Sequence, residues 1–463
     1  MENPFTFGNP VRDPRRFFGR KEEVRQVANR LLSSAHESTS IVGERRIGKT
    51  SLLKYIAHPQ VAPGLGLDPE RYCLIYIDFQ GLTDITPQRF WQRVLAKMKR
   101  SVCSAELVAE IDRLLGMESF DLFDLEDLCE AIATENLTTV LLLDEFEYVT
   151  QNQNFGPDFF GGLRALAIHH NLPLVTATRR ELVDLCHSEE LKGSPFFNIF
   201  ANVVLRPFHK AEVLAMVAAY MGEVGLPFTP QDQETIYRLA GGFPFFVQIA
   251  GYYLVEAQAP PSGSPLEGGR DEMGSPKDGG RAGTAALSKM AAAYQEQADP
   301  HYSYMWSHCS ESEKITLLAT LSLGRQKPAG KNQLKKSLPT LENLVKIYPH
   351  AQIDVPELLK RGLLYADPDQ PGAGSGNRPF RLLSESLEHW IAVEIAAGEG
   401  STESPESVEA WLKSGGKEVV EPVKGALPRF KKKYWPVVST VLQEVSIELA
   451  SSAAFELMLR AIV

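Results

Sequence analysis

The fold is indicated most clearly by one stretch of eleven residues, Ser40-Ile41-Val42 followed by Gly43-Glu44-Arg45-Arg46-Ile47-Gly48-Lys49-Thr50. The first three residues predict a short strand, the next eight match Gly-x-x-x-x-Gly-Lys-Thr, and residues 49–57 have a helical pattern. In this pattern the glycines let backbone N–H groups curl around phosphate oxygens, and the lysine reaches the β- and γ-phosphates. The threonine hydroxyl supplies an oxygen to Mg²⁺, and the helix points its positive end at the anion. The sequence therefore predicts a phosphate-binding P-loop between a strand and a helix.

A second apolar strand ends on two carboxylates. Thr139–Leu143 lacks the alternation of a half-exposed strand, which favours a strand covered on both faces in a parallel sheet, and Asp144 and Glu145 follow it. We expect Asp144 to hold Mg²⁺ together with Thr50, and Glu145 to polarise the attacking water. The alternative is an ordinary strand end with surface carboxylates.

A third strand, Leu172–Ala177, is followed by Thr178-Arg179-Arg180. Charge builds on the γ-phosphate oxygens during phosphoryl transfer, so a guanidinium at this strand end stabilises the reaction most. Arg179 and Arg180 are therefore candidate catalytic residues beside Lys49 and Glu145. The alternative is a solvated basic turn.

The order of patterns predicts five segments. Strands and helices alternate over residues 35–206, which predicts a three-layer α/β fold around a parallel sheet. Helical patterns then follow, a Pro/Gly/Ser-rich stretch interrupts them, and helices with two strand-like segments suggest a winged helix. The predicted domains are a nucleotide-binding domain at 1–207, a helical lid at 208–256, a disordered linker at 257–286, a winged helix at 287–397 and a helical tail at 398–463.

Composition excludes several classes of protein. The 463 residues carry a formal net charge of −10, which argues against a dedicated basic nucleic-acid protein. The five cysteines form no CxxC pair or zinc spacing, so a reducing compartment is expected. No secretory signal and no apolar run of about 18 residues is visible, so we expect a cytoplasmic protein without a membrane partner.

Several motifs together resemble the STAND-class AAA+ ATPases of the archaeal and cyanobacterial type, which have an origin-recognition-like core. The P-loop serves as Walker A, and Leu143–Glu147 is similar to their Walker B. The other similar stretches are Asn9-Pro10-Val11, Phe18-Gly19-Arg20, Thr178-Arg179-Arg180, Ser194–Phe200 and Gly241-Gly242-Phe243-Pro244. The resemblance covers residues 3–256 and extends loosely to about 395.

The resemblance implies a fuller set of binding residues. It implies ATP or ADP with Mg²⁺ as cofactors, a γ-phosphate contact from Arg179, and a lid contact to the base from Pro244. The nucleotide-binding residues would be Gly43, Glu44, Arg45, Arg46, Ile47, Gly48, Lys49, Thr50 and Ser51 of the P-loop, with Pro10, Val11, Phe18, Gly19 and Arg20 of the N-terminal arm.

The resemblance also implies a function. Such a protein is a slowly hydrolysing ATPase that couples its ATP or ADP state to conformational change, oligomerisation and recruitment of a protein effector in signalling or defence. An attached effector or a long array of repeats, which family members often carry, is not evident here. The alternatives are a DNA-binding AAA+ ATPase similar to replication initiators or loaders, and a non-catalytic ATP-binding scaffold.

Two basic groups bear on the DNA alternative. In the predicted winged helix they are Lys327, Lys331, Lys335, Lys336 and Lys360, and in the tail they are Arg429–Trp435. In the winged helix the alternative to DNA contact is protein–protein packing, which the overall negative charge favours. In the tail the alternative to contact with nucleic acid or an acidic partner is a solvated helix start whose aromatic residues, Phe430, Tyr434 and Trp435, belong to the core, and this second interpretation is favoured.

Overall fold

The computed structural model describes residues 3–224, 228–258, 284–324, 338–366 and 378–391. Most of the predicted linker at 257–286 and all of the predicted tail at 398–463 lie outside them, as do Lys327, Lys331, Lys335 and Lys336. The chain divides into two compact units, Asn9–Arg206 and Met1–Gly8 with Pro207–Val463. The domain boundaries predicted from the sequence stay predictions.

The unit Asn9–Arg206 is built on a five-stranded parallel sheet with the order β2-β3-β4-β1-β5. The strands are β1 (Thr39–Val42), β2 (Tyr72–Asp78), β3 (Thr138–Asp144), β4 (Leu174–Thr178) and β5 (Ala201–Val204). Residues 140–143 of β3 are completely buried, which explains why that strand reads as an uninterrupted apolar run. The predicted three-layer α/β fold is confirmed.

Eight helices flank the described sheet. They are α1 (Lys21–Leu31), α2 (Lys49–Ile56), α3 (Pro87–Met98), α4 (Ala105–Gly116), α5 (Leu122–Thr134), α6 (Glu147–Thr150), α7 (Pro157–His169) and α8 (Glu189–Lys192). The helical pattern over residues 87–115 is divided between two helices in the structure, α3 and α4. The side chain of Ser104 accepts a hydrogen bond from the Leu107 N–H and so caps a new helix start.

The second unit is mainly helical. Its elements are α9 (Lys210–Val224), α10 (Pro230–Ala240), α11 (Pro244–Gln258), α12 (Thr284–Ser307), α13 (Glu311–Gly324), α14 (Leu341–Ile347), α15 (Ala351–Arg361), β6 (Leu364–Ala366) and β7 (Phe380–Leu382). Strands β6 and β7 pair antiparallel, and Thr340 forms an isolated bridge with Pro379. Helices followed by a hairpin are the order that a winged helix has, and that assignment stays a prediction.

Close backbone contacts join the predicted lid, α9–α11, to the hairpin within this unit. A Cβ on Gly241 would overlap the carbonyl of Leu383, the residue that follows β7. Inside the lid, a Cβ on Gly242 would overlap the carbonyl of Phe208. Arg238 adds an ion pair with Glu385 at 2.7 Å. The two glycines of the Gly-Gly-Phe-Pro motif are therefore required by packing.

The N-terminal residues also belong to the second unit. The ring of Phe5 is fully buried, lies edge-on to Tyr220 at 5.2 Å between centroids, and fills the space that a side chain at Gly251 would need. The Thr6 N–H donates to the Gln248 side chain at 3.1 Å. Among the described residues, no helix is long and apolar enough to cross a membrane.

Candidate nucleotide-binding site

The P-loop leaves the end of β1 and turns into α2. The Gly43 N–H donates to the carbonyl of Thr178 at 3.1 Å, so the loop starts beside the end of β4. A Cβ on Gly43 would lie 2.9 Å from Ile47 Cγ2 and 3.1 Å from Leu205 O, whereas Gly48 is needed for its φ of +108°. The two glycines of the motif therefore have different tasks, close packing at the first and a left-handed turn at the second.

Lys49 is held beneath this loop. Its side chain is only 4% exposed, and its ammonium donates to the carbonyls of Gly43 at 2.8 Å and Glu44 at 3.3 Å. A buried ammonium needs such acceptors, and a phosphate is a stronger acceptor than either carbonyl. The contacts therefore hold the charge of Lys49 inside the loop that is expected to surround the phosphates.

The residues between the two glycines differ in exposure. Glu44 is buried and accepts a hydrogen bond from the Arg45 N–H at 3.1 Å, while Arg45 and Arg46 are exposed. Arg46 has a φ of +69°, and partial burial and then the neighbouring Arg45 lower the pKa of its guanidinium. Ile47 is buried and packs under the turn.

Two arm residues that were predicted to line the adenine pocket contact the P-loop region. The Val11 N–H donates to the hydroxyl of Ser51 at 3.1 Å. Arg20 is 5% exposed and donates to the carbonyl of Ile47 and to Glu23, each at 3.1 Å. The Arg20 guanidinium thus stabilises the P-loop by binding one of its backbone carbonyls. The Phe18-Gly19-Arg20 motif alone did not indicate this role.

The remaining arm residues lie in the same segment. Pro10 and Phe18 are half-buried, and Gly19 has a φ of +65°. Between them Phe17 stacks on Tyr55 of α2 at 4.1 Å between ring centroids, which fixes this segment on the helix that follows the P-loop. Pro244, the predicted lid contact, begins α11 of the other unit. The adenine-binding role of all these residues stays a prediction.

Thr50 and Asp144 lie together, as a Mg²⁺ site requires. Burial raises the pKa of the Asp144 carboxyl, and hydrogen bonds from the Thr50 side chain and then from Tyr76 act against that rise. The Tyr76 hydroxyl donates to Asp144 Oδ2 at 2.8 Å. A carboxylate and a hydroxyl in contact are hard oxygen donors of the kind that Mg²⁺ prefers, so these residues fit that ion.

Glu145 follows in an unusual backbone conformation. Its φ is +53°, a left-handed value that costs a non-glycine residue roughly 1 kcal/mol or more. Burial and then the nearby Glu147 raise the pKa of its carboxyl, while Lys49 and Arg179 act in the opposite direction. The strained turn therefore holds the candidate base within the electrostatic reach of Lys49 and Arg179.

Arg179 and Arg180 have different surroundings. Arg179 Nε donates to Glu147 Oε1 at 3.1 Å, and the Arg179 side chain is 30% exposed. Arg180 is exposed, and its carbonyl accepts a hydrogen bond from the Thr178 hydroxyl at 2.7 Å. The structure therefore brings Arg179 into contact with Glu147, close to the acidic end of β3.

Two residues of this region were missed at the level of sequence. Tyr76 had no predicted role, and Glu147 was only the last residue of the Walker B-like stretch Leu143–Glu147. A signal existed for Glu147, since a carboxylate three residues after Asp144 starts a short helix at the same strand end. Among the described residues, no group of three or more His, Cys, Asp or Glu side chains is placed to hold a metal ion.

The strand order and these residues define a P-loop NTPase with an AAA+-type core. Residues 26–265, just over half of the chain, match the family model described as Novel STAND NTPase 2. The chain belongs to this family of STAND NTPases, which confirms the resemblance drawn from the motifs.

Solved structures similar to this chain share little sequence with it. A Walker-type ATPase of Pyrococcus abyssi is 16% identical, with 83% of this chain and 98% of that chain covered and a TM-score of 0.49. The ORC2 protein of Aeropyrum pernix, in ADPNP and ADP complexes, is 14% identical, with 85% and 98% covered and a TM-score of 0.46. The ORC1 protein of the same organism, in complex with DNA, is 14% identical, with 83% and 94% covered and a TM-score of 0.38. No curated protein matches the chain, so the family assignment rests on the family model.

Proposed function

We propose that this chain is an ATP-dependent molecular switch of the STAND type. It binds Mg²⁺-ATP at Gly43–Thr50, hydrolyses it slowly, and changes conformation between its ATP and ADP states. In the ADP state it is a closed monomer, and in the ATP state it opens, forms homo-oligomers and recruits a protein effector in signalling or defence.

One observation carries this proposal. Within one unit, the groups of the proposed site lie at the ends of three neighbouring parallel strands: Lys49 and Thr50 begin α2 after β1 and the P-loop, Asp144 ends β3 and Glu145 follows it, and Arg179 follows β4. These are a phosphate-binding cation, a pair of metal ligands, a base and a sensor of the third phosphate. A chance match to the P-loop pattern would not bring the three groups outside that loop, Asp144, Glu145 and Arg179, with it.

Each of these residues has a distinct task in hydrolysis. Lys49 exchanges its carbonyl acceptors for phosphate oxygens, and Thr50 and Asp144 hold Mg²⁺, which neutralises phosphate charge when bound. Glu145 accepts a proton from the attacking water. Arg179 stabilises the charge on the γ-phosphate oxygens.

A switch requires a contact that differs between its two ligands. ATP and ADP share every group except the γ-phosphate, so only residues that reach this group shift the balance between two conformations. Arg179 is the candidate for that contact. A differential affinity of a few kcal/mol is enough to change which conformation dominates, as roughly 5.5 kcal/mol converts a 1:99 ratio into 99:1.

Two substitutions test the site. Glu145→Gln is expected to retain ATP binding and lose turnover, because the amide keeps the shape of the side chain but accepts no proton. Lys49→Ala is expected to lose both ATP and ADP, because each needs the cation at its β-phosphate. Binding is measured by titration calorimetry and turnover by phosphate release.

Lys97→Ala is the matched control, since Lys97 is an exposed lysine of the same unit on α3. It should behave as the unmodified chain does. Unchanged turnover in Glu145→Gln would remove Glu145 from the role of base. Tight nucleotide binding by Lys49→Ala would contradict the assignment of the phosphate site.

A further inference from the structure

Glu147 is a buried carboxylate beside the candidate site, and the chemistry above gives it no task. It begins α6, two residues after Glu145, and only 3% of its side chain is exposed. Burying a carboxylate is costly unless a cation and hydrogen-bond donors compensate its charge. The arrangement around Glu147 therefore calls for an explanation.

The compensation comes from Arg179. Arg179 Nε donates to Glu147 Oε1 at 3.1 Å, while Glu147 Oε2 is buried and has no hydrogen-bond partner among the described residues. A carboxylate with one oxygen unsatisfied depends strongly on the cation that binds the other oxygen. This makes the Glu147–Arg179 contact expensive to break.

The two ends of this contact differ in exposure. Glu147 lies in the core, whereas the Arg179 side chain is 30% exposed. The pair is thus buried at its acidic end and partly exposed at its arginine end. The contact uses Nε, the guanidinium nitrogen that is bonded to the aliphatic part of the side chain. It therefore restricts the orientation of the planar guanidinium group.

We infer that Glu147 is the positioning residue of the γ-phosphate sensor. By binding Arg179 at Nε it holds the guanidinium in place before nucleotide arrives, so that the γ-phosphate meets an ordered cation. This inference rests on the proposed function. It adds that discrimination between ATP and ADP depends on a residue that does not itself contact the nucleotide.

The test compares affinities for ADP and for a slowly hydrolysed ATP analogue. Four chains are measured by titration calorimetry with Mg²⁺: unmodified, Glu147→Gln, Arg179→Gln and the double variant. Glu147→Gln should lower the preference for the ATP analogue about tenfold, the effect of losing one charge-assisted hydrogen bond, and leave ADP affinity unchanged. In the Arg179→Gln background the same change should have no further effect on that preference, because its only route is through Arg179.

The matched control is Glu22→Gln, which removes the same charge from an exposed pair with Arg25 in the same unit. It should leave both affinities unchanged. If Glu147→Gln does not fold, as judged by circular dichroism, Glu147→Asp serves instead. It keeps the charge but shortens the side chain, and it should still lower the preference.

Three outcomes would overturn the inference while leaving the proposed function in place. They are an unchanged preference in Glu147→Gln, an increased preference, which would make Glu147 a competitor of the γ-phosphate, and an effect that persists without Arg179. An unmodified chain with no preference for the ATP analogue would overturn both the inference and the switch.

Discussion

At the scale of residues, the candidate site depends on polar groups that hold each other in place. Asp144 accepts hydrogen bonds from Thr50 and from Tyr76, which opposes the rise that burial causes in its pKa. Lys49 and Arg20 each bind P-loop carbonyls. Side chains fixed in this way need little reorganisation when a ligand binds, which is how proteins preserve affinity and geometry together.

Tyr76→Phe removes one of these supports. The hydroxyl donates to Asp144 at 2.8 Å, so its loss frees the carboxylate that we expect to hold Mg²⁺. Loss of an outer partner of a metal ligand typically weakens the metal about 10- to 100-fold, and we expect a change in this range. The measurement is the Mg²⁺ concentration that gives half-maximal ATP binding.

Tyr72→Phe is the control, because Tyr72 lies on the same strand and is also buried. It should leave the Mg²⁺ dependence as it is. If Tyr76→Phe also leaves it as it is, Tyr76 does not orient Asp144 for the metal.

The site residues that could be predicted from the sequence are those that phosphate and Mg²⁺ contact directly. Lys49, Thr50, Asp144 and Glu145 are recognisable because phosphate and Mg²⁺ demand those residue types at the ends of buried strands. Tyr76 is different: its role depends on the pairing of β2 with β3, and no local pattern encodes that pairing. Sequence reasoning therefore finds groups that touch a ligand more readily than groups that hold them.

At the scale of elements, the sheet could also be predicted only in part from the sequence. The strands themselves were predictable from their apolar runs, and the parallel arrangement from the helices between them. The order of the strands in the sheet was not predictable. It is important for the site because β4 lies between β1 and β3. That order places the end of β4, and with it Arg179, between the P-loop and the two carboxylates.

Gly242→Ala tests a close backbone contact inside the predicted lid. A Cβ there would overlap the carbonyl of Phe208, whose N–H donates to Gly242 O at 2.7 Å. Backbone must move to relieve that overlap, so we expect a loss of about 1–3 kcal/mol in the free energy of unfolding or a failure to fold. The measurement is thermal or denaturant unfolding followed by circular dichroism.

Gly222→Ala is the matched control for this change. Gly222 lies on α9, and nothing lies within 4 Å of a Cβ placed on it. Alanine is the better helix former, so the free energy of unfolding should rise by roughly 0.5–1 kcal/mol. Equal effects of the two substitutions would contradict the packing role assigned to Gly242.

At the scale of the whole molecule, the chain combines a nucleotide-binding unit with a helical unit. The motifs that identify the family are divided between them: the P-loop, both carboxylates and Arg179 lie in the first, and Gly241–Pro244 lies in the second. Within the second unit the lid is joined to the region of the hairpin by the close contact of Gly241 with Leu383 and by the Arg238–Glu385 ion pair. A conformational change that moves α11 is therefore expected to move the hairpin as well.

The central claim is that the third phosphate of ATP changes the state of this chain. The most direct test measures its molar mass by mass photometry or light scattering with ADP and with a slowly hydrolysed ATP analogue, Mg²⁺ being present in both. Lys49→Ala is the control that should respond to neither nucleotide. We expect a monomer with ADP and a larger assembly with the ATP analogue, and identical masses with the two nucleotides would contradict a switch driven by the third phosphate.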